Sequence, residues 1–320
     1  MERWRDALRA LCEWAWPAVM RPLLGHVQQW RLGEPPRLVL VPAGKLSMVP
    51  WHAAAWRSAE SGLRYACQDA VVSYAASGRQ LIDLARRAAL PLRQSPVLLG
   101  NPTLELLFAT LEAQAIHDAC YPEGAYFGHV GPLWKGHAAG PGNSQDVLRQ
   151  LPSADHAGAS MIHLGCHANV VAGALGESFL SLANGEKLTI EDILRRASGR
   201  VPTAPGGLVS LAACLSDLAA HEYDEALTLS TAFLAAGAVT VVGARWELPD
   251  MESSLQMFMF HHFRTAGGHS PRDALRLAQL WMLDPHRRPP PQMPAVLASR
   301  AGNPGLSEVS VWAALTHQGR

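Results

Sequence analysis

Two apolar runs in this 320-residue chain end on side chains that could act together as a nucleophile and a base. Gly207-Leu208-Val209-Ser210-Leu211-Ala212-Ala213-Cys214 opens after the breaker Pro205-Gly206 and ends on a thiol, and Ser160-Met161-Ile162-His163-Leu164-Gly165-Cys166-His167 ends on an imidazole. Runs of this length read as buried parallel strands, and open α/β sheets place their chemistry at the carboxyl ends of such strands. A free thiol with a pKa of about 8.5 is only a few per cent thiolate at neutral pH. An imidazole within reach lets attack on a carbonyl begin from the more reactive form. The oxyanion that follows needs preorganised N–H donors, and the amides of Cys214 and Ala168 are placed for this if both strands end at one edge. The imidazolium would then return its proton to the leaving amine.

Two neighbours compete for these roles. Cys166 directly precedes His167, and successive strand residues point to opposite faces, so its thiol is expected in the core. His163 stands four residues before His167 and shares its face, as a second histidine or a buried, hydrogen-bonded one. Taken alone, Cys214 would read as a small buried hydrophobe. The five cysteines are scattered and form no Cys-x-x-Cys pair, which argues against a disulfide framework or a zinc site and fits a reducing cytoplasm. His52, His129, His137, His156 and His261-His262 lack metal-ligand spacing, and no phosphate loop or dinucleotide fingerprint follows a strand, so neither a metal nor a cofactor is expected. Twenty-seven basic residues balance 27 acidic ones, so no global field draws the chain to nucleic acid or to a membrane. No apolar run reaches the ~20 residues needed to cross a bilayer, and no signal segment opens the chain; a cytoplasmic protein is expected.

The elements that must position the pair alternate along the chain. A Trp-rich stretch, Trp4 to Trp30, has helical spacing interrupted at Pro17 and Pro22. Strands are expected at 38–41, 71–75, 97–100 and 125–129, and helices at 78–90, 104–120 and 145–151. A hairpin about Asn184-Gly185 follows His167. A helix at 227–236, a strand at 239–246, amphipathic helices at 251–264 and 270–283, a Pro-rich loop at 285–294 and a closing strand at Val309 to Leu315 complete the pattern. Asp250 stands where it would cap the helix beginning at Met251. Alternation of this kind means an α/β fold, a mainly parallel sheet with helices on both faces. Residues 1–94 read as a smaller N-terminal sub-domain and residues 95–320 as a catalytic domain.

Several stretches, in order, resemble the CHAT protease domain: Leu38 to Leu46 with Val49-Pro50-Trp51, Ile162 to His167, Leu211-Ala212-Ala213-Cys214, Thr231 to Ala238, and then Trp246 and Asp250. Asp273 to Gln279 and Trp312-Ala313-Ala314 continue the resemblance, which covers nearly the whole chain. CHAT domains are caspase-like cysteine peptidases related to separases. The resemblance implies a caspase-hemoglobinase fold, a three-layer α/β/α sandwich, and peptide hydrolysis through a thioester with His167 as general base and Cys214 as nucleophile. Similarity to separases also implies that an acid after the strand-end Trp lines the primary specificity pocket and pairs with a basic substrate residue. Asp250 holds that position, with Glu247 and Asp217 as alternatives. The chain departs from the family in two places: Ala168 stands where Gly usually follows the His, and Leu215 where an acid usually follows the Cys.

The expectation is therefore an endopeptidase acting on a specific protein substrate. The resemblance to CHAT proteins of bacterial signalling and defence implies control by a separate sensor or activating partner. The alternative is a pseudo-peptidase that uses the cleft and its sheet edge only to bind a partner, a reading favoured by Ala168 and Leu215.

Overall fold

The short runs of Val, Leu and Ile become strands of one sheet, and the longer amphipathic runs become the helices that cover it. The structure is a computed structural model that describes residues 2–31, 34–58, 62–132, 134–171, 177–213, 216 and 228–320. Helices α1 (Glu2–Ala15) and α2 (Arg21–Gln28) are joined through a widened π-type turn at Trp16–Met20. Pro17 removes one N–H from the ladder there, so the helix is distorted at the prolines rather than broken. Next come β1 (Arg37–Leu40), the antiparallel pair β2 (Ala55–Ser58) and β3 (Gly62–Tyr65), α3 (Ala66–Asp69), β4 (Val71–Tyr74) and α4 (Gly78–Ala85), which is capped by Ser77.

Strand and helix then alternate as expected through β5 (Pro96–Gly100), α5 (Leu107–Cys120), β6 (Ala125–Gly128), α6 (Ser144–Leu148) and β7 (Met161–Gly165). A small antiparallel sheet of β8 (Ala168–Asn169), β9 (Phe179–Ser181) and β10 (Lys187–Thr189) leads into α7 (Ile190–Arg196) and β11 (Leu208–Ala212). After α8 (Leu229–Ala235) and β12 (Thr240–Ala244) come α9 (Asp250–Thr265), α10 (Pro271–Leu283), α11 (Ala295–Ala298), α12 (Val309–Trp312) and β13 (Leu315–Gly319). The expected closing strand is thus corrected: most of its apolar run is helix α12, and the strand is the more polar Leu-Thr-His-Gln-Gly that follows. The polar side chain of His317 is tolerated in this buried strand because its Nδ1 lies 2.9 Å from the Ser73 hydroxyl on β4.

The main sheet has eight strands in the order β1-β4-β13-β12-β11-β7-β5-β6. Neighbours are parallel except at β12/β13, so β1, β4 and β13 run opposite to the other five. The carboxyl ends of β5, β6, β7, β11 and β12 consequently share one edge. On one face Ile162, Leu164 and Cys166 join a buried cluster with α4, α6, α7 and α8. On the other, Met161 and Leu98 join a cluster with α5, α9 and α10. These layers form a caspase-like α/β/α sandwich.

One glycine decides how closely α5 approaches that edge. A Cβ on Gly100, the last residue of β5, would lie 2.8 Å from Ala113 Cβ and 3.3 Å from the Ala109 carbonyl. Gly100 therefore lets the first turns of α5, and the loop before them, lie against the ends of β5 and β7.

Candidate active site

Parallel pairing of β7 with β11 runs from Met161 opposite Leu208 to Gly165 opposite Ala212. His167 and Cys214 each stand two residues beyond that last couple. Cys214, Leu215 and Asp217 lie outside the described residues. Of their described neighbours, Ala213 is buried, and the Ser216 hydroxyl accepts from the Ala244 amide at the end of β12 (2.9 Å), while its carbonyl accepts from Ser230 N–H (3.1 Å).

Alternation along β7 sends Cys166 into the core, 1% exposed, and leaves His167 half-buried at the edge. The His167 carbonyl accepts from Ser181 N–H (2.9 Å), which makes these two residues a hydrogen-bonded couple of the β8/β9 ladder. The next couple, Ala168 and Leu180, is then of the other kind, so the Ala168 N–H points away from β9. Ala168 also has no positive φ, so Ala replaces Gly here without backbone strain.

Sequence reasoning missed one residue beside the imidazole. Glu105 Oε2 lies 3.3 Å from His167 Nε2, which leaves Nδ1 as the nitrogen able to take a proton from a thiol. Glu105 is delivered by the loop between β5 and α5, where Asn101 and Leu104 both adopt the left-handed conformation, with φ of 47° and 68°. Buried Asn101 shapes the loop: its Oδ1 accepts from Leu106 N–H and its Nδ2 donates to Thr110 Oγ1, each at 2.9 Å. The sequence-level signal was only a turn-forming Asn-Pro pair at a strand end.

Asp250 is not the cap of its own helix. Pro249 occupies the N-cap and Asp250 is the first helical residue. Its Oδ2 instead accepts from Phe108 N–H (2.8 Å), so the carboxylate caps the neighbouring helix α5. Burial pushes its carboxyl up to about 6; the amides of Phe108 and Ala109 and the nearby His167 pull the other way, and Glu112 adds to the rise. Glu247 is exposed on the segment after β12. A cleft of about 580 Å³ brings together His167, Ala168, Ala212, Glu105, Glu247 and Asp250, three carboxylates around one imidazole.

Behind the cleft, on the α5/α9 face, runs a buried polar chain. Glu112 Oε1 of α5 lies 3.0 Å from His163 Nε2 of β7, and His163 Nδ1 lies 3.0 Å from Ser210 Oγ of β11. Ser210 Oγ is 3.1 Å from His261 Nε2 of α9, whose Nδ1 is 3.0 Å from the Tyr121 hydroxyl. All five residues are at most 1% exposed. Burial, with His163 and Arg264 nearby, pushes the His261 imidazole well below its ordinary range. With one proton to give, the Ser210 hydroxyl donates to one imidazole and accepts from the other. The chain ties together α5, α9 and the two strands whose ends carry the candidate residues.

Burial pushes the four described thiols far from reactivity, Cys12, Cys67 and Cys166 to about 12 and Cys120 to about 11. Among the described residues, no group of three or more His, Cys, Asp and Glu side chains is placed to hold a metal ion, and no helix is long and apolar enough to cross a membrane.

Comparison with known proteins gives the same architecture. The structure is similar to separase in the Saccharomyces cerevisiae separase–securin complex (TM-score 0.52, 12% identity), covering 88% of this chain and 15% of the separase chain. It is also similar to the complex of Porphyromonas gingivalis RgpB pro- and mature domains (TM-score 0.51, 9% identity), covering 94% of this chain and 68% of that one. This chain thus spans only a small part of the separase it matches. No curated protein sequence matches it. The sequence matches the CHAT domain over residues 8–320, and the chain belongs to that family.

Proposed function

We propose that the chain is a cysteine endopeptidase in which Cys214 is the nucleophile and His167 the general base. The observation that carries this reading is the β7/β11 register, which brings the strands leading to His167 and Cys214 side by side in parallel, each two residues short of its candidate. His167 Nδ1 takes the thiol proton. The thiolate attacks the scissile carbonyl, the oxyanion is held by the amides of Ala168 and Cys214, and the C–N bond breaks as the imidazolium protonates the amine. Water then enters with the same base and splits the thioester to acid and thiol.

Glu105, Glu247 and Asp250 give the cleft a negative lining, which supports selection of Arg or Lys immediately before the scissile bond. Asp217 is the remaining alternative acid. The substrate is a protein, and activity is held in check by a separate sensor or partner in bacterial signalling or defence within the cytoplasm. In support, the two similar structures named above are both complexes, one of separase with securin and the other of the RgpB pro- and mature domains.

Alkylation tests the dyad without knowledge of the substrate. Iodoacetamide at neutral pH should label Cys214 well ahead of Cys12, Cys67, Cys120 and Cys166, and His167→Ala should slow that labelling. Labelling of Cys214 that is no faster, or is indifferent to His167→Ala, would instead assign a pseudo-peptidase that binds a partner without turnover.

A further inference from the structure

A second cavity, of about 600 Å³, lies on the other side of the segment that follows β12. Glu247 and Leu248 line both this cavity and the catalytic cleft, so residues 246–249 form a partition with one wall in each. The far wall comes from the opposite end of the sequence: Trp4 and Arg5, in the first turns of α1.

Most of the cavity's lining is aromatic or aliphatic. Trp4 and Trp246 meet edge to face, with ring centroids 5.9 Å apart and an interplanar angle of 72°. Trp246 Nε1 already donates to the Ser310 carbonyl (2.8 Å), so its ring offers the cavity only carbon surface. Leu248, Pro249 and Val311 add further apolar surface, and Arg5, Glu247 and Ser310 make up the rest of the lining. Trp4 nevertheless remains 44% exposed, a large indole held half out of the core. Its place is fixed from behind, where Leu8 and Cys12 of the same helix are buried in the main core and Arg9 pairs with Glu308 at 3.0 Å. Rigid aromatic walls with unfilled apolar surface are what an anchor side chain of a ligand needs, because little order has to be imposed when it binds.

We infer that this cavity is a second specificity site, which takes a large apolar or aromatic side chain of the same substrate segment whose scissile bond lies in the catalytic cleft, and that Trp4 is its specificity-determining residue. The inference rests on the proposed peptidase reading for the word substrate. An extended peptide crossing the partition places alternate side chains on alternate sides, so a basic residue in the acidic cleft and an apolar one beside Trp4 can belong to one strand. Helix α1, remote in sequence from His167 and Cys214, is then part of the recognition surface.

The test uses the full chain and two readouts. Fluorescein-labelled hexapeptides with one Arg, carrying Phe or Gly at each other position in turn, are titrated by anisotropy against the Cys214→Ala chain, and the same set is offered to the wild type for cleavage. Phe at one position should tighten binding about tenfold over Gly. Trp4→Ala should abolish that preference and Trp4→Phe should keep most of it. Docking of α1 in each variant is checked by iodoacetamide, since Cys12 stays unlabelled while the helix is seated. Equal binding of Phe and Gly peptides at every position, or a preference that survives Trp4→Ala, overturns the second site. Absence of wild-type cleavage with the Phe preference intact overturns the peptidase reading alone.

Discussion

Replacing Asp250 by Asn should make the protein more stable and less selective at once. The carboxyl of Asp250 is pushed from an ordinary 3.8 up to about 6, chiefly by burial, even after the stabilising amides of Phe108 and Ala109 are counted. Each tenfold change in proton affinity is worth about 1.36 kcal/mol, so the ionised form costs the fold about 3 kcal/mol at pH 8, an upper bound because the side chain is partly exposed. The sign follows from linkage. A group whose folded value is raised favours the fold below pH 4, and that advantage is lost as pH rises toward and through 6. Asn keeps an oxygen that can accept from Phe108 N–H but carries no charge to desolvate. Urea unfolding followed by tryptophan fluorescence should therefore show Asp250→Asn ahead of wild type by up to about 3 kcal/mol at pH 8 and by about half of that at pH 5. In a peptide library, the same variant should lose about tenfold of its preference for Arg or Lys before the scissile bond. A less stable variant at pH 8, or a margin that ignores pH, would refute the reasoning about burial. A basic preference that survives unchanged would leave Asp250 as the cap of α5 and shift the specificity role to Glu247 or Asp217.

Glu105 should orient His167 only weakly, because its side chain is 69% exposed. Glu105→Gln is expected to lower kcat by no more than about fivefold, the kinetic equivalent of about 1 kcal/mol, with KM unchanged; a raised KM at constant kcat would reassign it to substrate binding. Ser210→Ala removes the shared hydroxyl between two buried imidazoles, and should lower stability by about 3 kcal/mol in urea unfolding, since each stranded polar atom costs about 1–3 kcal/mol. A neutral result would mean that water or a repacked His163 takes the hydroxyl's place.

The strands that end near His167 and Cys214 were legible because a fully buried parallel strand must be apolar on both faces, and period-two alternation separated Cys166 from His167. Alternation also placed His163 on the shared face, and the structure shows it buried and hydrogen-bonded there. Glu105 was invisible for the opposite reason. It is an exposed acid on an irregular loop, and its position depends on the left-handed backbone of Asn101 and Leu104, which no periodicity records. Asp250 was assigned to the wrong helix because a capping pattern looks only along the chain, whereas the carboxylate reaches across to Phe108. The closing strand was misplaced because Val309-Ser310-Val311-Trp312 has strand composition, while the true strand hides Thr316, His317 and Gln318 in the sheet.

The seam between the two oppositely directed halves of the sheet sets the order in which the molecule can be built. Strand β13 comes after every other strand in sequence yet lies between β4 and β12, and its bond from His317 to Ser73 closes a loop of 244 residues. Until residues 315–319 leave the ribosome, β4 and β12 have no neighbour to share, so the N-terminal strands and the strands leading to His167 and Cys214 can only form as separate pieces. Closing so long a loop makes folding slow and non-local. Completion of the sheet thus waits on its last strand, and the protease-like half is joined to its counterpart only when β13 pairs with both neighbours.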